Sequence, residues 1–211
     1  MRKPTLEAKT YQHCALNGTA WFTGLFLKTS VCAVVLMLSA CTTSVQAPDT
    51  TYYLFDSNPV SYPQKVNTSN GLLMIDVVAL PDYLKTNQLV MKEGENRIVK
   101  ANYHSWADDL DESIQRAIIN DLNVALSETS VVDFCNSCQK VRITVEHFYP
   151  TQAGDVLLSG YYQIDHAQNE GQVRYFHFTS ELKGDGYASA VTQMRSLVAD
   201  FSASLVAYLN R

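Results

Sequence analysis

Hydrophobic and polar residues alternate along three neighbouring segments in the second half of the chain. These segments are Lys140 to Tyr149, Asp155 to Asp165 and Gln172 to Lys183. Because successive side chains of a strand point to opposite faces, the alternation predicts strands with one buried and one solvated face. Their short polar connections predict an antiparallel meander.

Further strands are predicted in the first half. Gly71 to Leu80 is almost continuously apolar, which is typical of a central strand, and Pro81 ends it. The sequence Glu-Gly-Glu-Asn lies between Gln88 to Lys92 and Arg97 to Ala101, which predicts a hairpin. Two shorter β-rich segments, Thr50 to Phe55 and Val131 to Phe134, complete the set.

Two segments carry apolar residues at helical spacing. The first begins at Asp108, and Asp109 with Glu112 has the spacing of a capping box. The second runs from Tyr187 to Asn210. With strands before each helix, the pattern predicts an α+β fold with one mixed, largely antiparallel sheet and two amphipathic helices packed on one face.

The N-terminal region has the order of features found in secretory signals. Lys28 precedes the apolar run Val31 to Leu38, which the small residues Ser39 and Ala40 connect to Cys41. The sequence Leu-Ser-Ala-Cys resembles a bacterial lipobox, in which the cysteine thiol is diacylated and the preceding peptide is removed. Since two or more acyl chains hold a protein on a bilayer, we predict lipidation at Cys41.

Two alternatives exist for this region. One is an ordinary signal peptide followed by a coincidental cysteine, and the other is a retained anchor helix from Ala20 to Ala40. Lys28 and the short apolar core disfavour the helix. We therefore predict a signal peptide over residues 1–40, a polar tether over 41–50 and a single periplasmic domain over 51–211.

The net charge of the chain after Cys41 restricts which classes of partner it can bind. Four of the 16 basic residues and one of the 21 acidic residues precede Cys41, which leaves a net charge of −8 on the remaining 171 residues. This acidic body argues against binding to nucleic acid and against electrostatic docking on anionic headgroups. Membrane attachment is therefore expected through the lipid.

Motifs for catalysis are missing from the sequence. There is no phosphate-binding GxxxxGK loop, no GxSxG elbow and no HExxH helix, so we predict a protein without enzymatic activity or cofactor. Cys135-x-x-Cys138 is the exception. In an oxidising compartment these two cysteines are expected to form a disulfide, with thiol exchange and metal binding as alternatives.

The metal alternative is weak. Four histidines lack ligand spacing, namely His104, His147, His166 and His177. The acidic cluster of Asp108, Asp109, Asp111 and Glu112 lies in a first helical turn, where the helix dipole is a sufficient reason for it. No metal site is predicted.

Three large residues on turns, Tyr83, Leu84 and Trp106, allow two interpretations. They are expected to seal the edge of the core. Alternatively, they contact a partner protein, because large apolar groups on turns often mark interaction sites.

Four motifs together resemble the ABC-type transport auxiliary lipoproteins. They are Thr51 to Leu54 after the tether, Val78 to Leu84, Asn102 to Asp111 and Gly184 to Tyr187. The Pro-Asp-Tyr-Leu turn and the Trp-Ala-x-x-Leu-Asp helix start are the most specific. The resemblance extends over nearly the whole chain after Cys41 and gives no role to Cys135 or Cys138.

The resemblance implies a lipoprotein of the outer membrane, facing the periplasm and assembled as a homo-oligomeric ring. It would dock with a PqiB-like MCE-domain protein and help move lipid between membranes, supporting membrane integrity, while other subunits bind nucleotide. Thr42 after the acylated cysteine is similar to lipoproteins exported to the outer membrane. Two other hypotheses are a lipid-anchored thiol-disulfide protein and a structural lipoprotein with a different envelope partner.

Overall fold

The computed structural model describes residues 46–56, 71–132, 134–165 and 171–210. Contacts divide the chain into two units, Met1–Ala47 and Pro48–Arg211, and all strands and helices of the described residues belong to the second unit. The predicted signal peptide, Cys41 and His166 lie outside the described residues. Within the four described ranges, neither helix combines the length and apolarity needed to cross a bilayer.

The described residues form eight strands and two helices. The strands are β1 Thr51–Tyr53, β2 Leu72–Ala79, β3 Gln88–Glu93, β4 Arg97–Trp106, β5 Ser130–Val132, β6 Gln139–Pro150, β7 Asp155–Asp165 and β8 Val173–Glu181. The helices are α1 Leu110–Ala125 and α2 Gly186–Leu209. The predicted α+β class is confirmed.

The larger sheet has five strands in the order β5-β2-β6-β7-β8. Strand β2 runs parallel to both β5 and β6, and β6, β7 and β8 form the predicted antiparallel meander. At Gly160 of β7 the neighbouring strand is very close, since a Cβ there would lie 2.1 Å from the carbonyl oxygen of Thr144. Only glycine fits at this point of the sheet.

The remaining strands form a second sheet in the order β1-β4-β3, whereas a single sheet was expected. Strands β3 and β4 are the predicted hairpin, with Gly94 at φ 62° in its turn. Strand β1 pairs in parallel with the far end of β4, where Thr51 lies opposite His104. The two sheets meet at a bridge between Lys92 and Thr151.

Both helices pack against the five-stranded sheet and against each other. The predicted apolar faces are the buried ones. On α1 the buried apolar residues are Leu110, Ile114, Ala117, Ile118, Ile119 and Leu122. On α2 they are Ala190, Val191, Met194, Leu197, Val198, Phe201 and Leu205.

The predicted capping box at the start of α1 was wrong. Asp109 is the N-cap residue, but its side chain makes no capping hydrogen bond to the described part of the helix. Arg116 attracts the neighbouring acids instead: its Nη2 donates to Asp108 Oδ2 at 2.9 Å, and its Nη1 lies 3.5 Å from Glu112 Oε2. The glutamate therefore makes an ion pair along the helix rather than reaching back to the cap.

Candidate functional site

Tyr83 lies in a tight turn directly after β2. Proline ends the strand, and the backbone N–H of Leu84 donates to the carbonyl oxygen of Pro81 at 2.9 Å, which closes the turn. The Tyr83 hydroxyl then donates to the carbonyl oxygen of Glu146 in β6, also at 2.9 Å. This hydrogen bond fixes a half-exposed aromatic ring against the sheet.

A pocket of about 260 Å³ opens beside this ring. Tyr149 lies 6.3 Å from Tyr83 between ring centroids, and His147 meets Tyr149 edge-on at 5.7 Å. The tip of the β3–β4 hairpin forms another wall with the positive side chains of Lys92 and Arg97, the negative side chain of Glu95 and the neutral side chain of Asn96. An aromatic floor with a charged rim is a common arrangement in protein-binding sites.

Burial raises the pKa of both tyrosine hydroxyls beside the pocket. It is the main cause that raises the pKa of Tyr83 to about 12; the neighbouring Tyr149 adds to the rise, and a backbone hydrogen bond with Phe148 opposes it. Burial also raises the pKa of Tyr149. Both hydroxyls are therefore neutral at physiological pH, which suits hydrogen bonding and apolar contact rather than nucleophilic chemistry.

The other two residues predicted on turns lie below the surface, and Trp106 is in fact the last residue of β4. Leu84 is 2% exposed and Trp106 is 5% exposed, and the Trp106 ring packs edge-on against Phe55 with centroids 5.9 Å apart. They seal the core where the two sheets meet. Of the three residues proposed for partner contact, Tyr83 presents accessible surface in this structure, while a role for Leu84 and Trp106 in binding stays a prediction.

Sequence reasoning missed the contribution of Tyr149 and His147. The pairing of β6 with β7 shifts between Val145 and His147, so Glu146 and His147 are both exposed and Phe148 returns to the core. This bulge places His147 beside the pocket. The signal was present in the sequence, since two consecutive polar residues interrupt the strict alternation of β6.

Cys135 and Cys138 form a disulfide in the structure, with Cα atoms 6.0 Å apart. They lie between β5 and β6 and contact Met74 in a small cluster apart from the main core. The motif therefore precedes a strand and does not open a helix. Within the described ranges, no group of three or more His, Cys, Asp and Glu side chains is arranged to hold a metal ion.

The ABC-type transport auxiliary lipoprotein component family matches residues 52–206. This range includes Tyr83, Leu84, Trp106, Cys135 and Cys138. The chain belongs to this family. The family is one of transport auxiliary lipoproteins and not of enzymes, so the alternative of a thiol-disulfide protein is not supported.

Two curated members of similar sequence are the intermembrane transport lipoproteins PqiC of Escherichia coli and Shigella flexneri. Each is 27% identical to this chain over 146 residues, covering 67% of this chain and 76% of PqiC. The sequence resemblance to the family is thereby confirmed, and the protein is a PqiC-like, membrane-associated lipoprotein.

Two solved structures share the fold of this family member. An uncharacterized protein is 25% identical, with a TM-score of 0.67, and the match covers 77% of this chain and 99% of that protein. A protein from Xanthomonas campestris is 12% identical to this chain, with a TM-score of 0.59, and the match covers 74% of this chain and 92% of that protein. The second likeness concerns the fold alone.

Proposed function

We propose that this lipoprotein is an accessory subunit of an intermembrane lipid transport system, without enzymatic activity of its own. The similarity to PqiC, whose name describes an intermembrane transport lipoprotein, is the observation that carries the proposal. Acyl chains on Cys41 attach the protein to the outer membrane, and the folded part faces the periplasm. Thr42, directly after the acylated cysteine, is compatible with export to that membrane.

The partner is a PqiB-like MCE-domain protein, and the surface around Tyr83 contributes to its binding. This surface combines an aromatic ring, a neighbouring pocket and a charged hairpin tip. The hydrogen bond from Tyr83 to Glu146 holds the ring in place before binding, so little side-chain freedom is lost when the partner binds.

A homo-oligomeric ring is the proposed form of the subunit. Exposed strands at sheet edges are suited to pairing between copies. Strand β1 lies at one edge of its sheet; Tyr52 in this strand is 66% exposed, and Leu54 directly after it is 58% exposed. These residues offer both backbone groups and apolar area for such contacts.

The test is an affinity purification of the tagged full-length protein from detergent-solubilised envelopes, with mass spectrometry of the bound proteins. We expect recovery of an MCE-domain protein. Membrane fractionation checks the anchor, because the Cys41→Ser protein should leave the outer-membrane fraction. Recovery of a different envelope protein without any MCE-domain protein would favour the structural-lipoprotein hypothesis instead.

A further inference from the structure

A second pocket, of about 250 Å³, lies where the first turns of α2 meet the two sheets. Its walls are almost entirely carbon and include Met91 of β3, Pro150 of β6 and Ala190 of α2. Thr151 contributes a hydroxyl, but this oxygen already accepts a hydrogen bond from the backbone N–H of Asp155 at 3.2 Å. Among the described residues, no charged side chain lines the pocket.

The walls of this pocket are held by contacts on several sides. The Tyr187 ring stacks on His104 with centroids 3.9 Å apart, and the Tyr53 hydroxyl lies 2.9 Å from His104 Nδ1. Behind the pocket, the backbone N–H of Gln152 donates to the carbonyl oxygen of Lys92 at 2.9 Å. These contacts connect both sheets to α2, so the cavity is formed before any ligand enters.

The chain enters the folded unit beside this pocket. Thr51 is paired with His104, the residue that stacks on Tyr187 of the pocket wall. Thr51 follows Cys41 by ten residues, and ten residues span at most about 36 Å even when fully extended. With the lipid anchor on Cys41, the pocket is thus kept within reach of the membrane surface.

We propose that this pocket binds one acyl chain of a membrane phospholipid. The inference rests on the proposed function, and it specifies how this subunit would contact the transported class of molecule. The lining favours an aliphatic ligand because its described residues bring no charge and offer mostly carbon, with the hydroxyls of Thr151 and Tyr187 as its polar side-chain groups. A cavity of about 150 Å³ holds benzene, so about 250 Å³ accommodates the end of an acyl chain rather than a whole lipid.

Photolabelling tests the proposal directly. The lipidated full-length protein is reconstituted in vesicles of phosphatidylethanolamine and phosphatidylglycerol that contain a trace of phosphatidylcholine with a diazirine on one acyl chain. After illumination, labelled peptides are mapped by mass spectrometry. We expect labels on Met91, Leu182 or Tyr187, which lie on three different sides of the pocket.

Two substitutions close the pocket in different ways, and a third, outside the pocket, serves as the control. Ala190→Trp fills it, and Met91→Lys places a charge in its wall. We expect each to reduce pocket labelling at least fivefold. Ala188→Trp adds the same ring at an exposed position of the same helix and should leave labelling unchanged. Met91 is half-buried, so Met91→Lys keeps the test valid if Ala190→Trp does not fold.

Two outcomes would overturn the proposal. One is equal labelling of the pocket in the wild-type and Met91→Lys proteins. The other is pocket labelling that appears only after Cys41→Ser, because this would assign the cavity to the protein's own anchor chains. The vesicles contain no partner protein, so a failure here is distinct from failure to recover an MCE-domain protein from envelopes.

Discussion

Arg195 of α2 donates two hydrogen bonds to the carboxylate of Asp121 on α1, from Nη1 to Oδ2 at 3.1 Å and from Nη2 to Oδ1 at 2.6 Å. Its Nε also donates to Asp56, after β1, at 3.1 Å. Burial alone would lower the pKa of Arg195, but the two carboxylates outweigh it and raise the pKa. One guanidinium thus joins both helices to the segment that follows β1.

Replacing this arginine should destabilise the fold. Arg195→Met leaves two partly buried carboxylates without their cation, and we expect the free energy of unfolding to fall by about 2 kcal/mol. Arg97→Met is the matched control, because Arg97 pairs with Glu93 at the surface and such pairs contribute at most about 1 kcal/mol. Urea unfolding measures both. Equal losses in the two variants would contradict the bridging role of Arg195.

Ionisation of Tyr83 should lower the free energy of unfolding at alkaline pH. Its pKa is raised from 10.0 to about 12 in the folded protein, so the folded state holds the proton more tightly than the unfolded chain. The resulting stabilisation is fully present below pH 10 and is lost as the pH rises towards 12. Tyr83→Phe should remove this part of the pH dependence and cost about 1 kcal/mol at neutral pH through the lost hydrogen bond.

Spectrophotometric titration at 295 nm checks the tyrosine assignment. When the titration curve of the Tyr83→Phe protein is subtracted from that of the wild type, the difference in absorbance should follow one group that titrates near pH 12 in the folded state. A difference curve centred near pH 10 would show that the Tyr83 hydroxyl is exposed to solvent and not held against Glu146.

Gly160 should tolerate no side chain. A Cβ would lie 2.1 Å from the carbonyl oxygen of Thr144, so Gly160→Ala must push β6 and β7 apart, at a cost of at least about 2 kcal/mol. Gly184→Ala is the control, because its nearest neighbour is the Ser189 hydroxyl at 3.2 Å, which can rotate away. Thermal unfolding should show a clear drop in Tm for Gly160→Ala and little change for Gly184→Ala.

The cysteine pair should affect stability but not transport. Closing a loop of four residues restricts the unfolded chain by about 2 kcal/mol, so the double variant Cys135→Ser, Cys138→Ser should lose about that much. Recovery of the partner from envelopes should be unchanged. Thiol alkylation with and without reductant checks that the wild-type pair is oxidised, and loss of partner binding in the double variant would oppose the structural role.

Local patterns predicted most of the secondary structure. Of the stripe predicted for α1 from Leu110 to Leu126, the residues up to Leu122 and Leu126 itself are buried as expected, whereas Ala125 is exposed. All strands of the meander appear within a few residues of their predicted ends. These features depend on periodicity and on nearby glycine and proline residues. The place of β1 in the second sheet depends on the pairing of Thr51 with His104, which are far apart in sequence and carry no local signal for it.

The candidate site was predicted only in part. Tyr83 stood out because it lies on a turn, but its partners Glu146 and Tyr149 come from β6, which is far away in sequence. The break in the alternation of β6 marks its bulge but does not say which turn the strand lies beside. Trp106 looked equally suited to partner contact, yet it is buried between the sheets. Trp106 was expected on a turn but is the last residue of β4, and its burial depends on tertiary packing, which the local sequence does not determine.

The most direct test of the accessory-subunit proposal is the affinity of the purified lipoprotein for the purified MCE-domain protein of the same organism. We expect saturable binding by the wild-type protein, at least tenfold weaker binding by Tyr83→Ala, and no more than a twofold change for Tyr175→Ala. Tyr175 is a matched control because it is 79% exposed on β8, in a different part of the sheet. No binding by the wild-type protein at tens of micromolar would contradict the proposal.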